Sequence, residues 1–490
     1  MKEKDFTVKE HAGLKKRWDV PVQAKASFWF LVCAFLQKGI SMLTTPVFTR
    51  LLTAAEYGQY SVFCSWMGVL TIFVTLNLSQ GVYTQGLIKY EENRKSYSSS
   101  LQGLTVVLVL IWTVVYLIAQ DFWNRLFSLT TAQMLAMLVM IWTSAVFQFW
   151  ASEQRVQFKY RALIVVTLAV SLAKPVIGIL FVTHAEDKVT ARIMGLVLVE
   201  AVCYTGLFLV QMVRGQKFYS ARFWKSALVF NIPLIPHYLS QTVLSNADRI
   251  MIRDMVNESS AGIYSLAYSL ALIMMLFNTA LMQTVSPWIY GKIRDRKTED
   301  ISNVAYGTMI LVACANLLLI MLAPEAVAVF APETYYDAVW VIPPVAMSVY
   351  FMFCYDLFAK FAFYYEQTKV IMMASIAGAV LNVILNYFFI RIFGYIAAGY
   401  TTLLCYIVYA AGHYCFMTVV CRRFCDGKVP YDKKKVLGIS GVFITCGFVL
   451  LFTYFNIVVR YGILFLAIVI FIVKRDKLKK ILRYYLQLRV

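Results

Sequence analysis

The sequence predicts an all-α polytopic membrane protein with about fourteen transmembrane helices, arranged as two six-helix lobes in parallel repeat plus two C-terminal helices. Three observations lead to this fold class. Of the 490 residues, 60% are hydrophobic and 16% aromatic, which leaves too little polar surface for a soluble protein. Apolar stretches long enough to cross a bilayer recur along the whole chain. Basic residues are concentrated in alternate connections between these stretches.

Bilayer-length stretches define the predicted helices in order. A bilayer core of about 30 Å needs about 20 mainly apolar residues per helix. In the N-terminal part of the chain such stretches lie at 25–45, 58–80, 101–119, 132–151, 162–183, 191–213 and 226–247. In the C-terminal part they lie at 262–284, 304–323, 339–358, 370–391, 396–418, 436–455 and 457–473. Only Asn456 to Arg460 separates the last two, so the turn between them must be tight.

The distribution of charge orients these helices. The formal net charge is +20, which in a soluble protein would suggest a nucleic-acid partner. Roughly four-fifths of the 46 Lys and Arg residues, however, fall in alternate connections and in the terminal segments. We therefore expect both termini to be cytoplasmic, the basic residues to meet anionic membrane lipids, and no nucleic acid to bind.

Two short sequence matches indicate an internal repeat. Tyr57 to Ser61 (YGQYS) opens the second predicted helix, and Ala261 to Ser265 (AGIYS) opens the eighth, 204 residues later. Gly195 and Gly399, near the starts of the sixth and twelfth helices, have the same offset. Because six is even, both lobes enter the membrane from the same side, and the repeat is parallel. The predicted units are a cytoplasmic segment at 1–24, six-helix lobes at 25–225 and 226–420, a basic loop with two appended helices at 421–473, and a basic cytoplasmic tail at 474–490.

The sequence lacks the signatures of an enzyme or of a metal protein. Gly291-Lys292 and Gly427-Lys428 lack the rest of a nucleotide-binding loop, and the connections predicted to be extracytoplasmic are too short for a catalytic domain. Most of the ten cysteines lie in apolar stretches, where a thiol behaves as a small hydrophobe. Cys421 and Cys425 provide too few ligands for zinc. We therefore predict no enzymatic activity, no cofactor and no metal.

Ionisable residues at membrane depth are the strongest candidates for a functional site, because a charge there costs about 2.5–3.5 kcal/mol and usually faces a cavity. Lys38 lies past the middle of the first predicted helix, and Lys174 is central in the fifth. Glu200 is central in the sixth helix and His237 in the seventh. Two lysines and a histidine suit an anionic ligand such as a diphosphate.

Each of these residues has an alternative interpretation. Lys38 would snorkel to the membrane surface if the first helix were shifted. Glu200 either titrates as a coupling site or forms a structural ion pair with Lys174. His237 follows Pro233 and Pro236, so it either lines a cavity or satisfies backbone carbonyls freed by a kink.

Further polar residues occupy predicted helix ends or the eleventh helix. Arg50 and Arg249 lie at the extracytoplasmic ends of the first and seventh predicted helices and are candidates to line the exit. Asn382 and Asn386 are expected to form hydrogen bonds between helices. The carboxylates expected to be hydrated at helix ends are those of Glu153, Asp248 and Asp356.

Two segments carry a resemblance to a known family. Pro46 to Ser61 (PVFTRLLTAAEYGQYS) resembles the early signature of polysaccharide and O-antigen flippases. Asn386 to Gly399 resembles the junction between the eleventh and twelfth helices of the same family. This family belongs to the multidrug, oligosaccharidyl-lipid and polysaccharide (MOP) exporter superfamily.

The resemblance implies a V-shaped pair of lobes with alternating access in the bacterial cytoplasmic membrane, moving undecaprenyl-diphosphate-linked oligosaccharides between leaflets. The expected partners are this lipid-linked substrate, membrane lipids and a proton or sodium counter-ion. Lys38 and Lys174 would hold the diphosphate, with Arg50 and Arg249 towards the exit. A multidrug antiporter, a lipid II flippase and a polysaccharide polymerase remain alternatives. The first would favour acidic cavity residues, whereas the deep charges here are mostly basic.

Overall fold

The computed structural model describes residues 22–473, which are almost entirely helical and contain no strand. The predicted all-α polytopic fold is therefore confirmed. Residues 1–21 of the predicted N-terminal segment, and the predicted tail at 474–490, lie outside the described residues. The predicted boundaries between lobes, loop and tail stay predictions.

The helices follow one another with short connections. What we term the first half consists of α1 (Val22–Leu51), α2 (Ala54–Thr75), α3 (Val82–Lys89), α4 (Arg94–Ile118), α5 (Gln120–Phe127), α6 (Thr131–Val156), α7 (Tyr160–Thr183) and α8 (Lys188–Gly215). After α9 (Ala221–Asn231), the second half consists of α10 (Ile235–Met255), α11 (Glu258–Ala271), α12 (Ile273–Arg294), α13 (Ile301–Met321), α14 (Ala323–Phe330), α15 (Ala338–Tyr364), α16 (Thr368–Phe393) and α17 (Ala397–Phe424). The chain continues with α18 (Lys433–Phe452) and α19 (Ile457–Val473).

Each of the predicted membrane stretches overlaps a helix. Within the described range, 11 helical segments are long and apolar enough to cross a membrane. The remaining predicted spans correspond to α2, α10 and α19. The first two carry polar side chains at membrane depth, and α19 is short.

Capping explains the abrupt turns between successive helices. Thr53 and Glu56 form a capping box at the start of α2, and Thr130 and Gln133 form another at the start of α6. Each box satisfies backbone N–H groups that the first helical turn leaves without partners. Long helices can therefore reverse direction within a few residues.

The predicted boundaries of the seventh helix were wrong. The stretch at 226–247 is divided by a 3-10 turn, Ile232–Leu234, and α10 then extends to Met255. Pro233 lies in this turn, where its missing N–H is tolerated. His237 consequently lies in the first turn of α10 rather than at its centre. Arg249 lies inside the helix, not at its end.

The two halves contact each other through α2, which packs against α10 and α11. Gly58 on α2 faces Gly262 on α11, and these glycines occupy matching positions in the sequence repeat. A Cβ atom on either would overlap a backbone carbonyl oxygen, that of Glu258 or of Ala54. The absence of side chains lets the two helices approach closely. Repeat-related segments therefore pack against each other where the two halves meet.

The remaining helices pack mainly within their own half. In the first half α8 lies against α6 and α7, and in the second α17 lies against α15 and α16. Helix α1 packs on α7, and its principal contact with the second half is at α14. We call the end of the bundle that carries α5 and α14 the outer end; it is the end predicted to be extracytoplasmic.

Candidate functional site

Lys174 and Glu200 form an ion pair inside the first half. The Lys174 ammonium donates to Glu200 Oε1 at 2.5 Å, joining α7 to α8. Thr143 on α6 donates to Glu200 Oε2 at 2.7 Å. Glu200 is 3% exposed, whereas the Lys174 side chain is 29% exposed. Because an ammonium has three N–H donors, Lys174 retains donors for a ligand while Glu200 holds it in place.

The other sequence-predicted lysine lies on the neighbouring helix. Lys38 is exposed on α1, which packs against α7. Its ammonium has no ion pair or hydrogen bond within residues 22–473. The Lys38 ammonium is therefore free to contact a ligand, but the structure shows no contact between Lys38 and Lys174.

Arg249 lies inside α10, in the second half. Its guanidinium donates to the Ser245 carbonyl at 3.0 Å and to Asn246 Oδ1 at 3.3 Å. The guanidinium also lies 4.4 Å from the centre of the Tyr268 ring. Arginine is well suited to such a site because its guanidinium stacks on aromatic faces and stays charged.

Arg192 on α8 is a third cation that the sequence interpretation missed. Its guanidinium lies 3.9 Å from the Phe48 ring centre and 3.6 Å from that of Tyr60. One of its terminal nitrogens is buried without a hydrogen-bond partner in the described structure. Arg192 is the second residue of the sixth predicted stretch, at 191–213, and this position could have placed it in the membrane. A charge so near the start of a predicted helix was instead interpreted as part of the preceding connection.

These cations share a neighbour at the middle of α2. Lys174, Arg192 and Arg249 each lie close enough to Cys64 for their charges to act on its thiol. Lys174 and Arg192 come from the first half, and Arg249 from the second. We call these three residues the central cation cluster. The central cation cluster therefore contains cations from both halves.

A buried carboxylate occupies the second half. Asp248 is 1% exposed, so the expectation that it would be hydrated at a helix end was wrong. It accepts hydrogen bonds from the Tyr264 hydroxyl at 2.6 Å, Asn386 Nδ2 at 2.5 Å and the Thr402 hydroxyl at 3.0 Å. Within the described residues, no cationic group comes within salt-bridge distance of it. Burial of an unpaired charge is costly, so a bound proton or small cation would stabilise this site.

Asparagines on α16 organise this carboxylate site. Asn386 joins α16 to α10 through Asp248 and to α17 through the Thr401 hydroxyl, as expected for an interhelical bond. Asn382 accepts from Asn386 at 3.3 Å, and its own Nδ2 is buried without a partner in the described structure. The site therefore has one polar group that no described residue satisfies.

The two halves are bonded together at the outer end. On α1, Thr49 donates to the Phe330 carbonyl at 2.6 Å and Arg50 to the Val329 carbonyl at 3.2 Å, both at the end of α14. On α10, Arg253 donates to the Phe127 carbonyl at the end of α5, at 2.9 Å. Cations and hydroxyls here satisfy carbonyls that a helix C-terminus leaves free. We call these two sets of contacts the outer latches.

The remaining candidates lie apart from the central cation cluster. Arg50 belongs to an outer latch. The His237 ring makes no hydrogen bond within the described residues, and its Nδ1 atom is buried. The structure therefore shows no carbonyl contact for His237, and its role in lining a cavity stays a prediction.

Comparison with known proteins identifies the family. A family model described as polysaccharide biosynthesis protein matches residues 24–291, and one described as MatE matches residues 233–388. The Lsg locus protein 1 of Haemophilus influenzae is 23% identical over 386 residues, covering 73% of this chain and 89% of that protein. An uncharacterized membrane protein of the same organism is 21% identical over 379 residues, covering 73% of this chain and 88% of its own length.

Solved structures establish the fold. The lipid II flippase MurJ in an inward closed conformation has a TM-score of 0.68 at 14% identity, covering 91% of this chain and 99% of that one. An inward-facing multidrug resistance MATE transporter of the MOP superfamily has a TM-score of 0.59 at 12% identity, covering 80% and 96%. Since the family match also spans more than half of the chain, this multi-pass membrane protein belongs to the polysaccharide biosynthesis protein family and has the fold of the MOP-superfamily transporters.

Proposed function

We propose that the protein flips undecaprenyl-diphosphate-linked oligosaccharides across the bacterial cytoplasmic membrane for surface polysaccharide biosynthesis. The observation that carries this proposal is the central cation cluster. A diphosphate carries several negative charges, and Lys174, Arg192 and Arg249 offer it cations from both halves. Arginine binds phosphate through paired N–H groups, and lysine through a compact point charge. Lys38 adds an exposed ammonium on the helix beside Lys174.

Alternating access follows from where the halves are joined. The outer latches close the predicted extracytoplasmic end, so substrate would enter from the cytoplasmic side, where both termini are expected. Outward opening requires these bonds to break, together with the close contact of Gly58 on α2 with Gly262 on α11, which lies in the first turns of both helices near the same end. A substrate held between cations of both halves would then face the opposite side when the halves tilt.

Asp248 is the residue that we propose for ion coupling. Its carboxylate is buried among neutral donors, and the site is completed by a proton or a sodium ion. The sequence predicted one of two roles for Glu200, either a coupling site that titrates or a structural ion pair with Lys174. Glu200 has a cationic partner at 2.5 Å, which favours the structural role.

A multidrug antiporter is the second candidate. The match of residues 233–388 to the MatE family and the buried Asp248 favour it. An organic cation would, however, be repelled by the central cation cluster. A polysaccharide polymerase is the least favoured candidate. The similar solved structures reported above are those of a flippase and a transporter.

The position of the accumulated substrate tests the proposal. In spheroplasts of a strain that lacks the protein, an impermeant sugar-modifying reagent reports which leaflet holds the lipid-linked oligosaccharide. We expect accumulation on the protected, cytoplasmic side, reversed by the wild-type protein and not by a Lys174→Met variant. Accumulation on the accessible side would indicate a polymerase. Drug sensitivity without accumulation would indicate a multidrug transporter.

A further inference from the structure

A cavity lies within the second half, between α12 and α15. Its volume is about 420 Å³, within the range of about 300–1,000 Å³ that small-molecule sites occupy. Methionines and one phenylalanine form part of the wall. The polar lining consists of Asn278, Thr279, Gln283, Ser286, Tyr355 and Asp356. None of these residues belongs to the central cation cluster.

The polar residues of α12 form one face of that helix. Thr279, Gln283 and Ser286 are separated by four and three residues, which places them above one another on a helix. Thr279 and Gln283 are exposed. Polar side chains at membrane depth usually face the interior of a bundle or a water-filled cavity rather than lipid. This face therefore forms a hydrophilic wall of the cavity.

Asn278 lines this cavity and has a buried acceptor without a partner among the described residues. Its side chain is 6% exposed, and its Nδ2 donates to the Val349 carbonyl at 3.0 Å. That bond fixes the amide, and Oδ1 has no hydrogen-bond partner within the described residues. A buried acceptor without a partner is costly, so a donor from a ligand would stabilise it.

Asp356 contributes a second acceptor without adding net charge. Its carboxylate is paired with Lys360 at 2.7 Å and remains partly exposed. Because Lys360 compensates the charge, the cavity offers little attraction to an organic cation. A phosphate offers acceptors of its own, so it cannot satisfy Asn278 Oδ1. A neutral molecule with many hydroxyl donors fits both conditions.

We infer that this cavity binds the sugar of the substrate. The inference rests on the proposed function and deepens it: the central cation cluster holds the diphosphate, while Asn278, Gln283 and Asp356 hold sugar hydroxyls. Gln283 supplies both an N–H donor and a carbonyl acceptor, and Tyr355 supplies an aromatic ring against the sugar. Selectivity among oligosaccharides therefore resides in the second half.

Protection of a thiol introduced at position 283 tests this inference. The Gln283→Cys variant, purified in lipid nanodiscs, is labelled with a maleimide, and mass spectrometry measures the label at that residue. The probes are lipid-linked oligosaccharide extracted from the strain lacking the protein, and undecaprenyl diphosphate without sugar. Thr284→Cys is the matched control, because Thr284 is exposed and adjacent but outside the cavity lining.

We expect the oligosaccharide-bearing lipid to slow labelling at position 283 roughly tenfold at about 90% occupancy. The sugar-free lipid should leave that rate unchanged, and neither probe should affect the control. Equal protection by both lipids would overturn the sugar assignment. Tetraphenylphosphonium serves as a third probe, and protection by this cation alone would overturn the sugar assignment in favour of an organic cation.

A separate measurement distinguishes this failure from failure of the proposed function. Undecaprenyl diphosphate should raise the thermal stability of the wild-type protein, and the Lys174→Met variant should lose this effect. If that result holds while position 283 is unprotected, only the sugar assignment is wrong. If undecaprenyl diphosphate stabilises neither protein, the proposed function fails as well.

Discussion

The two halves of the molecule bury their carboxylates in different ways. In the first half Glu200 is paired with Lys174 at 2.5 Å. In the second half Asp248 is surrounded by the hydroxyls of Tyr264 and Thr402 and the amide of Asn386. A carboxylate beside an ammonium has a counter-charge of its own, whereas a carboxylate among neutral donors gains from a bound proton or cation. The first half therefore holds a carboxylate with its own counter-charge, and the second half holds the carboxylate that we propose for ion coupling.

Removal of the Lys174 ammonium should have the largest effect, on both translocation and stability. We expect Lys174→Met to abolish translocation, because the diphosphate loses a cation. Loss of one partner also leaves Glu200 buried and unpaired, at a cost of up to about 3 kcal/mol of folding free energy. Flipping in reconstituted vesicles and thermal unfolding measure the two effects.

A double variant separates these two effects. Lys174→Met with Glu200→Gln removes both charges, so stability should return towards that of the wild type while translocation stays absent. Lys174→Arg keeps the charge and should retain part of the activity. Full translocation by the double variant would remove Lys174 from the substrate site.

Neutralisation of Asp248 should affect coupling more than folding. Asp248→Asn keeps the size of the side chain and one acceptor, so we expect a stability loss of about 1–3 kcal/mol from one mismatched donor. Translocation in vesicles should fall at least about tenfold and become insensitive to an imposed proton or sodium gradient, since a neutral amide cannot exchange a proton. In the matched variant Glu200→Gln, the gradient dependence should persist. The reverse pattern would assign coupling to Glu200.

The sequence predicted the helices better than it predicted the buried charges, for a physical reason. Bilayer thickness fixes the length of apolar stretches, so the positions of the helices can be predicted from the sequence, and each predicted stretch overlaps a helix. A charge inside a helix lowers its apparent hydropathy and is read as a helix end, as happened for Asp248, Arg249 and Arg192. Hydropathy therefore locates the membrane helices, but it does not identify the charged residues that are buried between them.

The sequence also could not predict which side chains of neighbouring helices contact each other. Lys174 and Glu200 are 26 residues apart, and both were predicted at helix centres. Whether they meet depends on the rotation of α7 and α8 about their axes. Packing sets this rotation, and the close approach of Gly178 on α7 to Gly195 on α8 shows how tight that packing is. The sequence therefore left open whether Glu200 forms an ion pair with Lys174 or titrates as a coupling site.

The contact between the halves should be sensitive to single methyl groups. Gly58→Ala places a Cβ against the Glu258 carbonyl, so we expect a loss of about 1–3 kcal/mol in stability from overpacking. Gly206→Ala is the matched control, since no atom lies within 4 Å of the added Cβ. In a helix this change should be neutral or slightly stabilising. Equal unfolding temperatures for the two variants would contradict close packing at Gly58.

The two outer latches should differ in strength, although the repeat makes them equivalent. Helix α14 is also held by α19, through an ion pair from Arg460 to Glu325 and a hydrogen bond from Tyr461 to Glu325 at 2.8 Å. Loss of the Arg50 contact therefore leaves α14 in place. Arg253 is largely buried, with 7% of its side chain exposed, and α5 has no such contact with α19 among the described residues.

We therefore expect Arg253→Gln to favour outward opening by about 1 kcal/mol, a severalfold change in population, and Arg50→Gln to have a smaller effect. Spin labels placed on the ends of α5 and α10 report the opening by the distance between them. The changes are small because each variant removes hydrogen bonds to carbonyls that water satisfies once the latch opens. A larger effect of Arg50→Gln would show that the appended helices do not stabilise α14, and that the two latches act independently of α19.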